Sequence, residues 1–383
     1  MTISKFSARE LFHSFESGDE FILLDVRDEE DYTKFNIEGP NEVVSINIPY
    51  VEFMDNEIMS VLNVPEKPVK VICAKEGSSR FVASILDNHQ RTGISYLEGG
   101  ITSWGDILIP KKISSDSDSF ELWQFIRPGK ASCSYALICN QEMYVFDPTR
   151  DAVFYQTFAE DKNTKITHVF ETHLQADYIS GGATLSKLVG AKYVVNECDF
   201  NSAAFAYHAL QHGELFSLGE NGASVLSLHS PGHTPGSTTY IIDERFMISG
   251  DTVFIVSIGR PDLGGKVVEW SKQLYATLKE RITVLPEELI VLPGHFSSWK
   301  TEMDSEGRIC TNFGNVLKNN DEIYGIDNED EFVEYIKRNM RKQPEIYDEI
   351  RQVNNGLIVP CEDTMKTMDL GKNECSASKE ISN

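Results

Sequence analysis

Four short polar clusters constrain this chain more tightly than anything else in it. They are Glu171-Thr-His-Leu-Gln-Ala-Asp-Tyr178, Ser230-Pro-Gly-His-Thr-Pro-Gly236, Ser249-Gly-Asp-Thr252 and Leu292-Pro-Gly-His295. Each follows an apolar run of β character, with Gly or Pro close by. A rigid strand fixes each loop, and the loop carries an imidazole or a carboxylate. Such loops converge at one edge of a sheet sandwich, and what they build there is a metal site. The spacing predicts a hairpin of Ser134–Cys139 and Met143–Phe146, then strands at Ile166–Thr172, Lys192–Val195, Val225–Leu228, Thr238–Ile242, Phe246–Ile248 and Leu289–Leu292. With a helix over Ala183–Val189 and helical periodicity from about 320 to 354, this reads as two sheets with helices outside.

The first 108 residues have another texture. Phe21–Val26, Glu42–Ile48 and Val69–Cys73 are near-continuous apolar runs, the mark of buried parallel strands. The third ends on Cys73, followed by Ala74, Lys75, Glu76, Gly77, Ser78 and Ser79 and then a helical stretch from Arg80 to Leu86. Amides of such a loop converge on one point, and a helix N-terminus adds positive potential, so the thiol is expected to be acidified. Residues 109–119 are Ser/Asp-rich and read as a linker, and residues 356–383 as a polar tail with a mobile end.

Leu24-Asp-Val-Arg27, the Cys73 loop and Tyr96-Leu-Glu-Gly-Gly-Ile-Thr-Ser-Trp104 resemble a single-domain rhodanese. The resemblance implies an α/β domain on a parallel sheet over residues 1–108, with Cys73 carrying a sulfane sulfur as a persulfide. The related phosphatases place Arg where this chain has Ser79, which favours sulfur transfer over phosphate chemistry. A buried structural cysteine is the competing reading of Cys73. Asp25 and Arg27 read as a structural pair.

From 120 to 355 the four clusters resemble the metallo-β-lactamase superfamily, which implies an αββα sandwich of the α+β class. The usual first motif there is His-x-His-x-Asp-His. This chain keeps His173 and Asp177 but has Gln175 and Tyr178 at the other two positions, while His233, Asp251 and His295 match the later motifs. A two-zinc hydrolase of the glyoxalase II type loses one ligand at each metal, and a neutral phenol binds a dication poorly. Two ions about 3.5–4 Å apart would then have few charges to offset their repulsion. His173, His233 and Asp251 survive intact, a facial set of two imidazoles and one carboxylate that suits non-haem Fe(II). Persulfide dioxygenases are the branch that uses these positions for one iron, and Ser134-Tyr135 and Gly259-Arg-Pro-Asp-Leu263 look like that branch. The resemblance implies one Fe(II) per chain, with zinc less favoured, and oxidation of a thiol persulfide by O2 to sulfite and thiol. Asp177, His295, Gln175 and Tyr178 are expected behind the ligands. Arg260, oriented by Asp262, is a candidate for a substrate carboxylate, and Tyr135 for a hydrogen bond to the outer sulfur. A structural Asp262-paired arginine and a core tyrosine are the alternatives.

Rhodanese transfer fits this chemistry: sulfite plus persulfide gives thiosulfate and thiol, and the reverse supplies persulfide. The competing functions are a zinc thioester hydrolase and a non-catalytic sulfur sensor. A net charge of −24 repels nucleic acid and anionic membrane. Seven scattered cysteines without a C-x-x-C pair, and no apolar leader, point to a reducing cytoplasm. A homo-oligomer is compatible with all of this. His208 and His212 are read on a surface helix, His168 and His229 in strands, and Cys133, Cys139, Cys198, Cys310 and Cys361 as packing residues. Cys375 is a tail thiol with no assigned role.

Overall fold

A computed structural model describes residues 3–219 and 222–377 of the chain, which divide into two compact units. The first comprises the chain up to Ile109 together with Arg127–Lys130 and Leu370–Lys372. Among the described residues its sheet has five strands, in the order Ser4–Phe6, Ile94–Leu97, Val69–Ile72, Ile22–Asp25, Val44–Asn47. Every neighbouring pair is parallel, as the unbroken apolar runs require. The helix Ala8–Ser17 starts on a capping box of Ser7 and Glu10 and stops at Gly18, whose φ of 69° favours a residue without Cβ. Its Phe12 and Phe15 pack on the fully buried Trp104.

The second unit holds the two-sheet sandwich. One sheet runs His208–Ala209, Lys192–Val195, Lys165–Phe170, Glu142–Phe146, Ser132–Cys139, Glu121–Arg127, Ile109–Lys112. The other runs Leu215–Ser217, Ser224–His229, Thr238–Ile242, Phe246–Gly250, Ile290–Pro293, Thr311–Asn312. Asn140 and Gln141 both take positive φ (51° and 63°), the mirror-image turn whose twist matches the hairpin they close. Between the sheets Tyr240 meets Phe146 and Phe170 at ring distances of 5.2 and 5.4 Å. Leu274 of the helix Val267–Thr277 and Phe332 and Ile336 of the helix Glu329–Asn339 share a buried cluster with Ile241, Met247 and Val291 of the second sheet.

Several expectations are corrected here. Residues 109–119 contain the strand Ile109–Lys112 rather than a plain linker, because Ile109 is buried and the edge strand is paired. His208 lies in a short strand and His212 in a loop, not on a helix; Val194 and Val195 pair with His208 and Ala209 and outweigh the local helical pattern. The tail includes the helix Glu362–Met368, and Cys375 and Ala377 beyond it are buried. Residues 378–383, the end expected to be mobile, lie outside the described residues. No helix among the described residues is long and apolar enough to cross a membrane.

Candidate metal centre and cysteine loop

The four polar clusters do come together at the strand ends. His173 follows the strand Lys165–Phe170, His233 follows Ser224–His229, and Asp251 follows Phe246–Gly250. Their ligand atoms lie within 4.8 Å of one another, and all three side chains are buried. Asp251 Oδ2 is 3.8 Å from His173 Nε2 and 3.5 Å from His233 Nε2, yet it accepts no hydrogen bond. A buried carboxylate oxygen without a donor is expensive, and one aimed between two imidazole nitrogens is satisfied by a cation. The donor set therefore fits a divalent ion.

Each imidazole is held by its other nitrogen. His233 Nδ1 donates to the Arg260 carbonyl at 2.9 Å, and His173 Nδ1 lies 2.9 Å from Thr172 Oγ1. Thr172 Oγ1 in turn donates to Asp147 Oδ2 at 2.8 Å. This assigns the tautomer that leaves Nε2 as the acceptor facing Asp251. Burial pushes His173 down to about 3, against the pull of Asp251, so the ring is neutral and its lone pair available. Burial alone would raise Asp251, but His295, His173 and His233 hold its carboxyl below the usual range. Behind Thr172, burial lifts Asp147 to about 6 despite the Thr172 donors, and Glu171 well above its ordinary value.

The Thr172 hydroxyl is thus a lever on the metal. Thr172→Val keeps the volume and removes the hydrogen bond to His173. Metal affinity is expected to fall by roughly 10–100-fold, with Thr172→Ser restoring it. Titration with a metallochromic competitor reads this directly, and equal affinity in the valine variant would refute the role.

Two glycines let the loops approach so closely. A Cβ on Gly294 would sit 2.5 Å from Asp251 Oδ1, and one on Gly250, already at φ 51°, would sit 2.4 Å from Thr172 Oγ1. Asp199 braces the first two clusters, accepting from Leu174 N, Gly236 N and Thr234 Oγ1 at 3.0, 2.7 and 2.7 Å. Asn354 holds the first cluster from the other side through the carbonyls of Gln175 and Tyr178. Thr172 lies in the first cluster but was given no role in the sequence, and Asp147, Asp199 and Asn354 were not singled out. These three belong to no ligand motif and act through contacts distant along the chain.

The remaining candidates fall as follows. His295 Nδ1 donates to Asp251 Oδ1 at 2.8 Å, and its Nε2 is 3.0 Å from Asp177 Oδ2. Burial opposes its charge, but Asp177 and Asp251 outweigh that and raise it to about 10. Gln175 is buried, and its Oε1 makes no hydrogen bond. Tyr178 is buried, its hydroxyl 3.4 Å from the Asp147 carbonyl, and burial holds the phenol neutral. The two proposed substrate contacts are committed elsewhere. Arg260 pairs with Asp262 through Nε at 2.7 Å and Nη2 at 2.6 Å and also donates to the Arg341 and Glu374 carbonyls. Tyr135 donates to the Pro293 carbonyl at 2.6 Å and sits wholly in the core.

In the first unit Cys73 ends its strand, but the helix begins at Glu76, so Gly77, Ser78 and Ser79 form its first turns. The loop proper is Cys73, Ala74 and Lys75. Ser79 Oγ is turned back to the Glu76 carbonyl at 2.9 Å. Burial pushes the Cys73 thiol up, and the amides of Lys75 and Ala74 with the Ser78 hydroxyl recover only part of it. The expected acidification is therefore reversed in the free thiol, since desolvation in a narrow cradle outweighs the amide dipoles. Alkylation of Cys73 should have its midpoint above that of an ordinary thiol, and Ser78→Ala should move it higher. A rate already maximal at neutral pH would contradict this.

Comparison with known proteins agrees with this architecture. Residues 129–295 match the family model of the metallo-beta-lactamase superfamily and residues 7–106 that of the rhodanese-like domain. A mitochondrial persulfide dioxygenase of Bos taurus is 27% identical over 43% of this chain, and a hydroxyacylglutathione hydrolase of Polaromonas is 28% identical over 42%. The chain spans 64% and 61% of the lengths of these relatives. A solved metallo-beta-lactamase from Staphylococcus aureus is 26% identical with a TM-score of 0.56, over 62% of this chain and 73% of that one.

Proposed function

We propose that this chain, which carries a rhodanese-like domain and a metallo-β-lactamase-fold domain, is an iron-dependent enzyme that oxidises a low-molecular-weight thiol persulfide with O2, giving sulfite and thiol. The observation that carries the reading is Asp251 Oδ2, without a hydrogen-bond donor and facing two imidazole nitrogens, while Gln175 and Tyr178 occupy positions where a two-metal hydrolase needs histidine. His173, His233 and Asp251 would hold the ion. Ferrous iron in such a set supplies open positions at which persulfide and O2 can meet. Thr172 and the Arg260 carbonyl keep both rings in register, and the burial of the trio keeps bulk water out. The net reaction is RSSH + O2 + H2O → RSH + SO3²⁻ + 2H⁺.

Cys73 would exchange sulfane sulfur with the product: RSSH + SO3²⁻ ⇌ RSH + S2O3²⁻. The likeness to hydroxyacylglutathione hydrolases keeps a zinc thioester hydrolase as the second reading. The test is O2 uptake and sulfite release by iron-loaded protein over glutathione, coenzyme A and inorganic persulfides, beside thioester hydrolysis by zinc-loaded protein. Oxygen uptake with stoichiometric sulfite supports the first reading, and hydrolysis without it replaces that reading with the second.

A further inference from the structure

A cavity of about 560 Å³ opens in the second unit, bounded by the helix Gly182–Val189, the strand Lys192–Val195 and the loop at Phe205. It shares no lining residue with the metal centre. We propose that this cavity is a binding site for a small aromatic anion, a hydroxyaryl or heteroaryl carboxylate. The proposal goes beyond the oxidative reading and does not depend on it.

The walls call for an apolar, flat body. The rings of Tyr193 and Phe205 stand with centroids 5.5 Å apart and planes inclined by 54°. Each ring packs against a glycine: a Cβ on Gly182 would lie 2.5 Å from Tyr193 Cε2, and one on Gly356 would lie 3.1 Å from Phe205 Cδ1. The Tyr193 hydroxyl donates to Glu171 Oε1 at 3.0 Å, so its ring and not its hydroxyl serves the cavity. Ala204 N donates to the Asn355 carbonyl at 2.8 Å and pins the loop that carries Phe205. Ala183, Ala191 and Ala206 keep the space between these walls open. Val359 also lines it, 88% exposed, and is covered when an apolar body enters. A preformed, mostly apolar concavity of roughly 300–1,000 Å³ with few polar groups is the usual form of a small-molecule site.

Two polar side chains set the rest of the chemistry. Ser186 lines the cavity at 7% exposure, and its Oγ has no hydrogen-bond partner. A helical serine has the carbonyl one turn back within reach, yet this hydroxyl does not take it. A buried hydroxyl without a partner is costly, and a ligand hydroxyl or ring nitrogen at that point removes the cost. Lys187 is the one charged residue of the lining, in a chain of 59 acidic and 35 basic residues. Among the described residues it forms no ion pair. A carboxylate on the ligand gives it one, whereas a cationic ligand finds no acidic side chain in the lining and meets a like charge. The aromatic walls hold the ring, Ser186 orients it, and Lys187 selects the sign of its charge.

The test uses the full chain with its alanine methyl groups labelled for NMR. It needs neither iron nor oxygen, so its failure leaves the oxidative reading standing. The probes are a hydroxynaphthoate with hydroxyl and carboxylate at opposite ends, plain naphthoate, the neutral naphthylmethanol, and octanoate. Hydroxynaphthoate should bind saturably and shift the methyl resonances of Ala183, Ala191 and Ala206. Naphthoate should bind about 2–10-fold more weakly, and that difference should vanish in Ser186→Ala. Lys187→Glu should weaken both aryl carboxylates by about fivefold and leave naphthylmethanol unchanged. Ala206→Trp, at an exposed position, should close the cavity and abolish binding. Unmoved methyl resonances at millimolar probe, or undiminished binding in Ala206→Trp, overturns the site. Equal affinity for naphthoate and naphthylmethanol overturns the choice of an anion, and octanoate binding as tightly as hydroxynaphthoate overturns the choice of an aromatic body. Should a variant fail to fold, the methyl shifts and the ranking of the four probes on the native chain decide.

Discussion

His233→Ala should abolish persulfide-dependent oxygen uptake and leave the chain unable to retain iron through desalting. In the proposed site the ring would supply one of three ligand atoms; its Nδ1 is already fixed on the Arg260 carbonyl, which leaves Nε2 facing Asp251 Oδ2 at 3.5 Å. Losing an outer partner of a ligand typically costs 10–100-fold in affinity, and losing the ligand should cost more. The fold should survive, because the side chain spans a loop and not a strand. The Arg260 carbonyl loses one donor, a cost of about 1–3 kcal/mol. Iron content, oxygen consumption and circular dichroism together check the expectation. A variant that keeps both iron and turnover would remove the trio from the mechanism.

Arg27→Ala should be the most damaging single change in the first unit. Asp25 is wholly buried, and Arg27 meets it through Nε at 3.1 and 3.0 Å and Nη2 at 2.6 Å. The same guanidinium ties down the carbonyls of Asp31 and Phe35 at 3.1 and 2.6 Å. Removing one partner of a buried pair strands the other charge and costs about 3–5 kcal/mol. Converting both, as Asp25→Leu with Arg27→Met, should recover most of that loss, because an apolar pair leaves nothing unsatisfied. Hydrogen exchange at Ile22–Asp25 across a denaturant series reads this locally. Unchanged protection in Arg27→Ala would show that the pair contributes little.

What could be read from residue order alone followed from how local each signal is. The strand Lys192–Val195 and the helix of Glu329–Asn339 announce themselves by periodicity within a few residues. The trio was legible because each member sits in its own short motif after a strand. The closeness of Cys375 to Asp177 and His295 was not, since nothing near it in the chain predicts either as a neighbour. The helix start at Glu76 was missed because Gly77, Ser78 and Ser79 favour loops on their own, yet here Ser79 Oγ bonds back to the Glu76 carbonyl inside the first turn. The acidified thiol was misjudged for a related reason: loop amides can be inferred from sequence, whereas the extent of desolvation cannot. His208 and His212 show the converse, a helical spacing overruled by pairing with Val194 and Val195.

His173, His233 and Asp251, the proposed ligands, are 1–3% exposed, and the segment from Asn373 to Ala377 is bonded to neighbouring loops. An ion seated among groups so buried would exchange through a local opening of the surrounding loops, with its own free energy. Equilibrium preference among divalent metals favours zinc over ferrous iron at most nitrogen and oxygen sites. Slow exchange uncouples occupancy from that ranking. Which ion the protein carries would then be settled by supply at the moment of folding, and afterwards preserved as a memory of it.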